Sequence, residues 1–210
     1  MTNQIWLTVQ PGESQGVSPK LPSDSRTKIL EAAFAALSRD GYENASIKDI
    51  AAEAGVAQGL VHYYFKSKQQ LVLQVLLTVC EKMEIYGAEQ GEAAALAAFE
   101  NFKSILHSRR DVHALYIQLI GVGLHDSKIG AGIRDNIRLE RKRVEDIARQ
   151  VLAQREVDPS PARAIAGAVW AGILGVIVQS LIDPEFNADE AVDALAAMSL
   201  SAVYPSTQGA

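Results

Sequence analysis

Cysteine is nearly absent from this chain, whose 210 residues contain only Cys80. A single cysteine excludes an intramolecular disulfide and fits a reducing cytoplasm, which is where we expect the protein. It also disfavours a zinc site, because such sites need several thiolate or imidazole ligands. The N-terminus lacks the basic start and continuous apolar run of a signal peptide.

Residue patterns that carry catalysis are also missing. His107, His113 and His125 are not spaced three or four residues apart, and no Glu-x-x-His sequence occurs. The glycines of Gly121-Val122-Gly123 lack the third glycine of a dinucleotide-binding loop. We therefore expect a protein that is not an enzyme and that has neither a metal site nor a cofactor.

Positive charge is scarce overall, since the net charge is −5. Affinity for DNA comes largely from Lys and Arg that neutralise phosphates, so this value taken alone argues against a nucleic-acid partner. Residues 20–70, however, contain seven basic and six acidic residues, whereas the region beyond them contains 13 basic and 18 acidic residues. The acidity belongs to the C-terminal part, and the N-terminal part remains compatible with DNA.

The N-terminal part predicts three helices. The first begins at Ser23 or Asp24 and ends at Gly41. The segment that follows, SIKDIAAEAGVAQGLVHYYFKSK, predicts two short helices joined by a tight turn. Ser46 with Asp49 forms a capping-box-like start, and a glycine follows the second helix at its exit. Two short helices about such a turn are the helix-turn-helix form of a DNA reader.

The third helix, about Ala57 to Tyr64, is predicted to have one packed and one exposed face. At about 100° per residue, its packed side contains Ala57, Leu60, Val61 and Tyr64. Its other side contains Gln58, Gly59, His62 and Tyr63. A glutamine amide can pair bidentately with adenine, and glycine allows close approach of the backbone. The plainer alternative is that Gln58 and His62 are ordinary solvated residues.

A long fourth helix is predicted from about Ser67 to Tyr86, with Ser67 and Gln70 as its capping pair. Lys66 and Lys68 flank its start, and a helix N-terminus between two lysines predicts a phosphate contact. This helix is apolar on more than one side. We therefore expect it to contact both the DNA-reading unit and the next domain.

From about Ser25 to Val79 the sequence resembles the N-terminal domain of the tetracycline-repressor (TetR) family of bacterial transcription regulators. The shared pattern is a helix ending in Gly-Tyr, then Ser-x-x-x-Ile-Ala-x-x-Ala-Gly-Val, then a short recognition helix ending in Tyr-Phe-x-Ser-Lys. The chain departs from the family at Ala57, Gln58 and His62, where Ser or Thr, Lys and Tyr are usual. The base preference is therefore not carried over.

The resemblance implies an all-α fold, with an N-terminal three-helix helix-turn-helix domain and a larger C-terminal helical domain for ligand binding and dimerisation. It implies base contact or close approach from Gln58 and Gly59, and phosphate or sugar contact from His62, Tyr63 and Lys68. The preceding helix and turn complete the predicted DNA-binding set with Ser46, Ile47, Lys48 and Ala57.

Three parts of the chain are expected from these features. Residues 1–22 are rich in Pro, Gly and polar residues and predict a mobile arm. Residues 23–68 form the helix-turn-helix domain, and residues 69–205 form the effector-binding and dimerisation domain. In the latter, residues 128–155 alternate in charge, which is typical of a solvated helix face, with a second DNA-binding surface as the alternative.

Residues 164–182 form a run without charge whose length approaches that of a bilayer-spanning helix. A membrane-anchored protein is therefore an alternative. The missing basic flank and the acidic helix that follows favour instead a helix buried by protein partners, so we expect no membrane partner. Small residues in this run would let another helix approach closely.

Members of the TetR family usually form homodimers through their last two long helices, here about Pro161 to Leu181 and Asn187 to Val203. Two recognition helices roughly 34–36 Å apart read a palindrome, which gives dimerisation a physical motive. The predicted interface consists of small and apolar residues: Ala164, Ala168, Ala171, Gly172, Gly175, Leu195 and Met198.

Family members also commonly bind a small molecule in the C-terminal domain, and binding moves the fourth helix so that the two readers no longer fit the groove. The predicted lining is Phe102, Leu106, His113, Tyr116, Ile120, Trp170 and Leu174, with Cys80, Met83 and Tyr86 as further candidates. Such residues also fill cores. Tyr116 and Trp170 stand out, because a buried polar tip needs a partner.

We therefore predict a homodimeric repressor that binds a palindromic operator in double-stranded DNA and is released by an unidentified small-molecule effector. A DNA-binding regulator without an effector is the alternative.

Overall fold

The computed structural model describes residues 23–81 and 89–201 of the chain. The described residues form helices α1 (Ser23–Asn44), α2 (Ile47–Glu53), α3 (Gln58–Tyr64), α4 (Lys68–Glu81), α5 (Gly91–Ser108), α6 (Arg110–Gly123), α7 (Ser127–Gln154), α8 (Ala162–Ile182) and α9 (Ala188–Ser201). The predicted all-α fold, with a helix-turn-helix domain followed by a larger helical domain, is confirmed. The expected arm, Met83 and Tyr86 lie outside the described residues.

Local sequence signals place the first helices. Gly41 interrupts α1 with φ 77° and ψ 172°, a conformation that glycine adopts without steric cost. Ser46 accepts a hydrogen bond from the Asp49 N–H at 3.1 Å and donates one to the Asp49 carboxylate at 2.5 Å, which is the predicted capping box. Gly55, with φ 66°, makes the tight exit of α2.

The helices of the predicted helix-turn-helix domain share one hydrophobic core with the C-terminal domain. Ile29, Ile50 and Leu71 of α1, α2 and α4 are fully buried in it, and so are side chains of α6 and α7, among them Leu119 and Ile129. Helix α4 contacts both α1 and α7, as its apolar sides predicted. A displacement of α6 or α7 would therefore also displace the helices that hold α3 in place.

A second core is built from α5, α8 and α9. On α8, Val169, Trp170, Ile173, Val176 and Ile177 are buried, and this helix packs against α7 and α9. Helix α8 is long and apolar enough to cross a membrane, a property that a core helix of a soluble protein shares. Its opposite side is solvent-exposed in the single chain.

Two predicted interface residues contact each other within the chain. A Cβ atom on Gly172 of α8 would lie 2.6 Å from Cδ1 of Leu195 of α9. Leu195 is half-buried by this packing. The pair sets the close spacing of α8 and α9 inside one subunit.

The turn between α6 and α7 brings two backbones together. A Cβ atom on Gly130 would overlap the carbonyl oxygen of Gly123. A Cβ atom on Gly123 would in turn crowd the backbone of Gly130. Asp126 caps α7 by accepting hydrogen bonds from the N–H groups of Lys128 and Ile129 at 2.9 and 3.0 Å. Glycine is needed here because the two helix ends approach closely.

Replacement of Gly130 by alanine is expected to destabilise the protein, although alanine favours helix. The added methyl group meets a backbone oxygen that cannot rotate away, and overpacking of this kind costs about 1–3 kcal/mol. Gly121→Ala is the matched control, because a Cβ there meets nothing within 4 Å. It should stabilise α6 by up to about 1 kcal/mol. Urea unfolding at a fixed protein concentration measures both, and equal stability of the two variants would contradict the close approach.

Candidate nucleic-acid interface

Helix α3 buries one face and exposes the other. Val61 is fully buried, and Leu60 and Tyr64 are half-buried. The exposed side presents the four residues that its sequence predicted: Gln58, Gly59, His62 and Tyr63. The Tyr63 side chain is 60% exposed. An exposed amide, imidazole and phenol beside a glycine can approach the edges of bases and the sugar-phosphate backbone.

The prediction that Ala57 packs with Leu60 and Val61 is wrong. Ala57 is exposed and precedes the helix, with an extended backbone of φ −67° and ψ 141°. The angular spacing of a helix does not apply to a residue outside it. Ala57 therefore lies at the open start of α3, and its methyl side chain makes no cap hydrogen bond.

The predicted residues of α2 divide into two kinds. The Ser46 hydroxyl is engaged with Asp49 in the capping box, and Ile47 is half-buried against the core. Lys48 is exposed at the start of α2, where it can reach a phosphate without losing a contact to the described residues. Of these three side chains, Lys48 is the one best placed for the DNA backbone.

Lys68 is held by the protein itself. Its Nζ donates to the main-chain oxygen of Glu43 at 3.3 Å and lies 4.5 Å from the centroid of the Tyr42 ring. Burial lowers the pKa of this ammonium. Lys68 thus fastens α4 to the end of α1, whereas Lys66 is exposed. The capping pair is as predicted, because Ser67 Oγ accepts from the Gln70 N–H and Gln70 Oε1 accepts from the Lys66 N–H.

A polar junction joins the helix-turn-helix domain to the C-terminal domain. The Tyr42 hydroxyl and Gln69 Nε2 both donate to Asp126 Oδ2 at 3.5 Å. Hydrogen bonds from the Ile129 N–H and other donors hold the pKa of Asp126 below its usual value. Burial, with the Asp126 charge, raises the pKa of Tyr42. No local sequence pattern predicted these contacts of Asp126, because its partners lie 84 and 57 residues away.

The predicted effector-binding residues fall into two parts of the interior. Tyr116 and Ile120 pack in the core shared with the helix-turn-helix domain. Phe102, Leu106 and Trp170 pack in the second core, and Leu174 contacts both. His113 is 2% exposed, and burial lowers its pKa to about 4, so the ring is neutral at neutral pH.

Buried polar groups mark this interior. The Tyr116 hydroxyl donates to Asn136 Oδ1 at 2.9 Å, and burial raises the pKa of Tyr116. Trp170 Nε1 is buried with no acceptor among the described residues. Glu140 is also buried and pairs with Arg143 at 2.9 Å. Sequence reasoning missed Asn136 and Glu140 on α7, because the charged residues around them suggested a wholly solvated face.

An apolar cavity of about 60 Å³ lies between α5, α7, α8 and α9. Phe102 is its one predicted ligand-binding residue, and its other walls include Phe99, Val151 and Val169. Pockets that hold metabolite-sized ligands enclose roughly 300–1,000 Å³. The cavity in this state is too small for such a ligand.

Comparison with known proteins agrees with this geometry. Residues 29–75 match the family of bacterial regulatory proteins, tetR family. The HTH-type transcriptional regulator YvdT of Bacillus subtilis (strain 168) is 46% identical over 54 residues, which cover 26% of this chain and 28% of YvdT. UidR, an HTH-type transcriptional regulator of Escherichia coli (strain K12), is 23% identical over 137 residues, covering 64% of this chain and 70% of UidR.

The fold likeness extends beyond the DNA-binding helices. A transcriptional regulator from Saccharomonospora viridis, solved in complex with choline, has a TM-score of 0.68 at 23% identity, covering 83% of this chain and 94% of that one. The family match includes α2, α3 and the junction to α4. The N-terminal helices are thus a helix-turn-helix domain of the tetR family of bacterial regulatory proteins.

Proposed function

We propose that the chain is a homodimeric repressor that binds a palindromic operator and is released by a small-molecule effector. Residues 23–68 are the reading domain, and residues 69–205 bind effector and partner subunit. The observation that carries the proposal is the exposed face of α3, which combines an amide, a glycine, an imidazole and a phenol with no carboxylate.

Each group on this face has a distinct role. Gln58, at the first position of α3, pairs with a base edge, and Gly59 lets the helix approach the groove. His62 and Tyr63 contact phosphate or sugar. Lys48 at the start of α2 and Lys66 just before α4 supply exposed cations for the DNA phosphates. Lys68, whose ammonium lies over the ring of Tyr42, adds a further positive charge. The N-terminal part is nearly neutral overall, so one copy binds DNA weakly and two copies are needed.

Dimerisation is supported by the uncovered side of α8. Ala164, Ala168 and Ala171 are exposed along one stripe, with Gly175 half-buried in line with them. On α9, Met198 is 65% exposed. Small residues let the same helices of a second subunit approach closely, and the contact buries apolar surface. Gly172 and Leu195 support this interface from behind by joining α8 to α9.

The buried polar groups of the interior support the effector part. A buried indole N–H normally has an acceptor, and Trp170 Nε1 has none among the described residues. An effector with an acceptor oxygen would satisfy it. The choline complex of the Saccharomonospora viridis regulator is consistent with ligand binding by a protein of this fold. A shift of α6 or α7 would reach Tyr42 and Gln69 through Asp126.

Gln58→Ala is expected to weaken binding to the operator by about 1–3 kcal/mol while leaving non-specific binding nearly unchanged, because the amide reads a base rather than a phosphate. Selection of bound genomic fragments first identifies the operator. Fluorescence anisotropy on operator and scrambled duplexes then measures both affinities. Gln118→Ala, at an exposed position of α6, is the matched control.

Two results would contradict this role. Equal loss on operator and scrambled duplexes would mean that Gln58 does not read bases. Failure of the wild-type protein to retain any genomic fragment in a salt-sensitive manner would contradict DNA reading altogether.

Ala168→Glu is expected to shift the protein from dimer to monomer, because the proposed contact would bury two unpaired carboxylates about the symmetry axis. Sedimentation velocity over a range of protein concentrations measures the equilibrium. Ala153→Glu places the same charge on an exposed position of α7 and should leave the dimer intact. A dimer equally stable in both variants would place the interface elsewhere.

Effector binding is expected to change the fluorescence of Trp170. The chain contains two tryptophans, so a Trp6→Phe variant reports on Trp170 alone. Metabolites that release the operator from this variant should also change its emission, and Trp170→Phe should lower their potency about tenfold, the loss of one buried hydrogen bond. Operator affinity without ligand should not change.

The proposal that an effector releases the protein from DNA is wrong if no metabolite releases the operator. That result would not contradict the proposal that the protein binds an operator. Its assignment to Trp170 is wrong if releasing ligands act equally on the Trp170→Phe variant and leave the emission unchanged.

A further inference from the structure

A cleft of about 290 Å³ on the surface between α7 and α8 has a basic lining. Its walls are Arg138, Arg141, Lys142 and Glu145 of α7 with Arg163 and Ala166 of α8. Four cations thus face one carboxylate. The region beyond residue 70 contains 13 basic and 18 acidic residues, so a basic cleft is unexpected in a region whose net charge is negative.

The α7 side of the cleft is one helical stripe. Its residues lie three, four and seven positions after Arg138, so their side chains share a face of α7. Arg163 reaches the same cleft from the first turn of α8. Neither helix could bring these cations together alone.

The single carboxylate of the lining is already neutralised. Glu145 Oε1 accepts from Arg149 Nε and Nη2 at 3.0 and 2.7 Å. Lys142 is paired with Asp146, and Arg138 lies 3.8 Å from Asp135. These partners are on α7 itself and are exposed to solvent.

Two arginines of the cleft have no ion-pair partner among the described residues. Among the described residues, neither Arg141 nor Arg163 makes an ion pair or a side-chain hydrogen bond, and both are exposed. The start of α8 adds to the positive potential, because Pro161 gives it no side-chain cap and its first turn carries no acidic residue. Two guanidinium groups on different helices therefore face the same space, and no carboxylate of the described residues pairs with either of them.

We propose that this cleft binds the phosphate group of a small phosphorylated molecule. Arginine presents planar, paired donors that match phosphate oxygens. Two arginines with a nearby ammonium match the charge of a bound phosphate dianion better than that of a bound carboxylate, which carries one negative charge. The cleft is concave and of small-molecule size, which suits a compact anion. The site is separate from the reading face of α3 and from the buried Trp170.

The cleft lies to one side of the proposed dimer contact. At about 100° per residue, Ala166 lies opposite the stripe of Ala164, Ala168 and Ala171 on α8, and Arg163 lies at the edge of this stripe. The cleft itself is complete within one chain. Phosphate binding can therefore be tested on the full chain whether or not the proposed DNA function holds.

Isothermal titration of the full chain with inorganic phosphate, and in parallel with glycerol 3-phosphate, tests the site at constant ionic strength. Saturable binding of one anion per subunit is expected. Arg141→Gln and Arg163→Gln should each weaken it about tenfold, since each removes a charge-assisted contact. Arg134→Gln, an exposed arginine of α7 outside the cleft, is the matched control and should change it less than about twofold. All of the substituted residues are exposed, and melting temperatures will verify that the variants fold.

Several results would overturn the proposal. One is the absence of saturable binding to the wild-type chain, and another is an equal loss in Arg134→Gln, which would indicate diffuse attraction. If phosphate does not bind and Arg141→Gln or Arg163→Gln shifts the monomer–dimer equilibrium, the cleft holds carboxylates of a second subunit. If these variants instead weaken DNA binding without affecting phosphate, the cleft is a DNA contact.

Discussion

The burial of Val61 is the contact on which the DNA-reading surface depends. Helix α3 has seven residues, and an isolated helix of this length is not stable in water. Its backbone is held because Val61 enters the core that α1, α2 and α4 share, with Phe65 buried just beyond. The polar face of α3 is therefore oriented by an apolar contact on its opposite side, and any change in this core changes the approach to DNA.

The same core extends into α6 and α7, which makes the reading unit mechanically continuous with the C-terminal domain. At its edge, Asp126 receives hydrogen bonds from Tyr42 and Gln69 and also caps α7. The close approach of Gly123 and Gly130 fixes the turn that carries Asp126. Because packed cores shift between discrete arrangements rather than deforming gradually, a rearrangement of α6 or α7 at this junction would reach α3.

Helix α8 shows how one apolar sequence serves several contacts. Its large residues fill the second core, Gly172 accommodates Leu195, and Ala164, Ala168 and Ala171 stay uncovered in the single chain. At its first turn, Arg163 joins three cations of α7 in a basic cleft. An average charge or hydropathy over this region conceals these differences, since each depends on which side of the helix a residue occupies.

The sequence by itself determined the N-terminal helices, the capping pairs at Ser46 and Ser67 and the exposed face of α3, because hydrogen bonds and periodicity within a few residues decide these features. The capping box of Ser46 and Asp49 and the break at Gly41 are of this kind. Only the tertiary structure decided the contacts of Lys68 with Tyr42, of Gly172 with Leu195 and of Tyr116 with Asn136. These pairs are set by how the helices pack, and no local pattern encodes which distant side chain will face a given position.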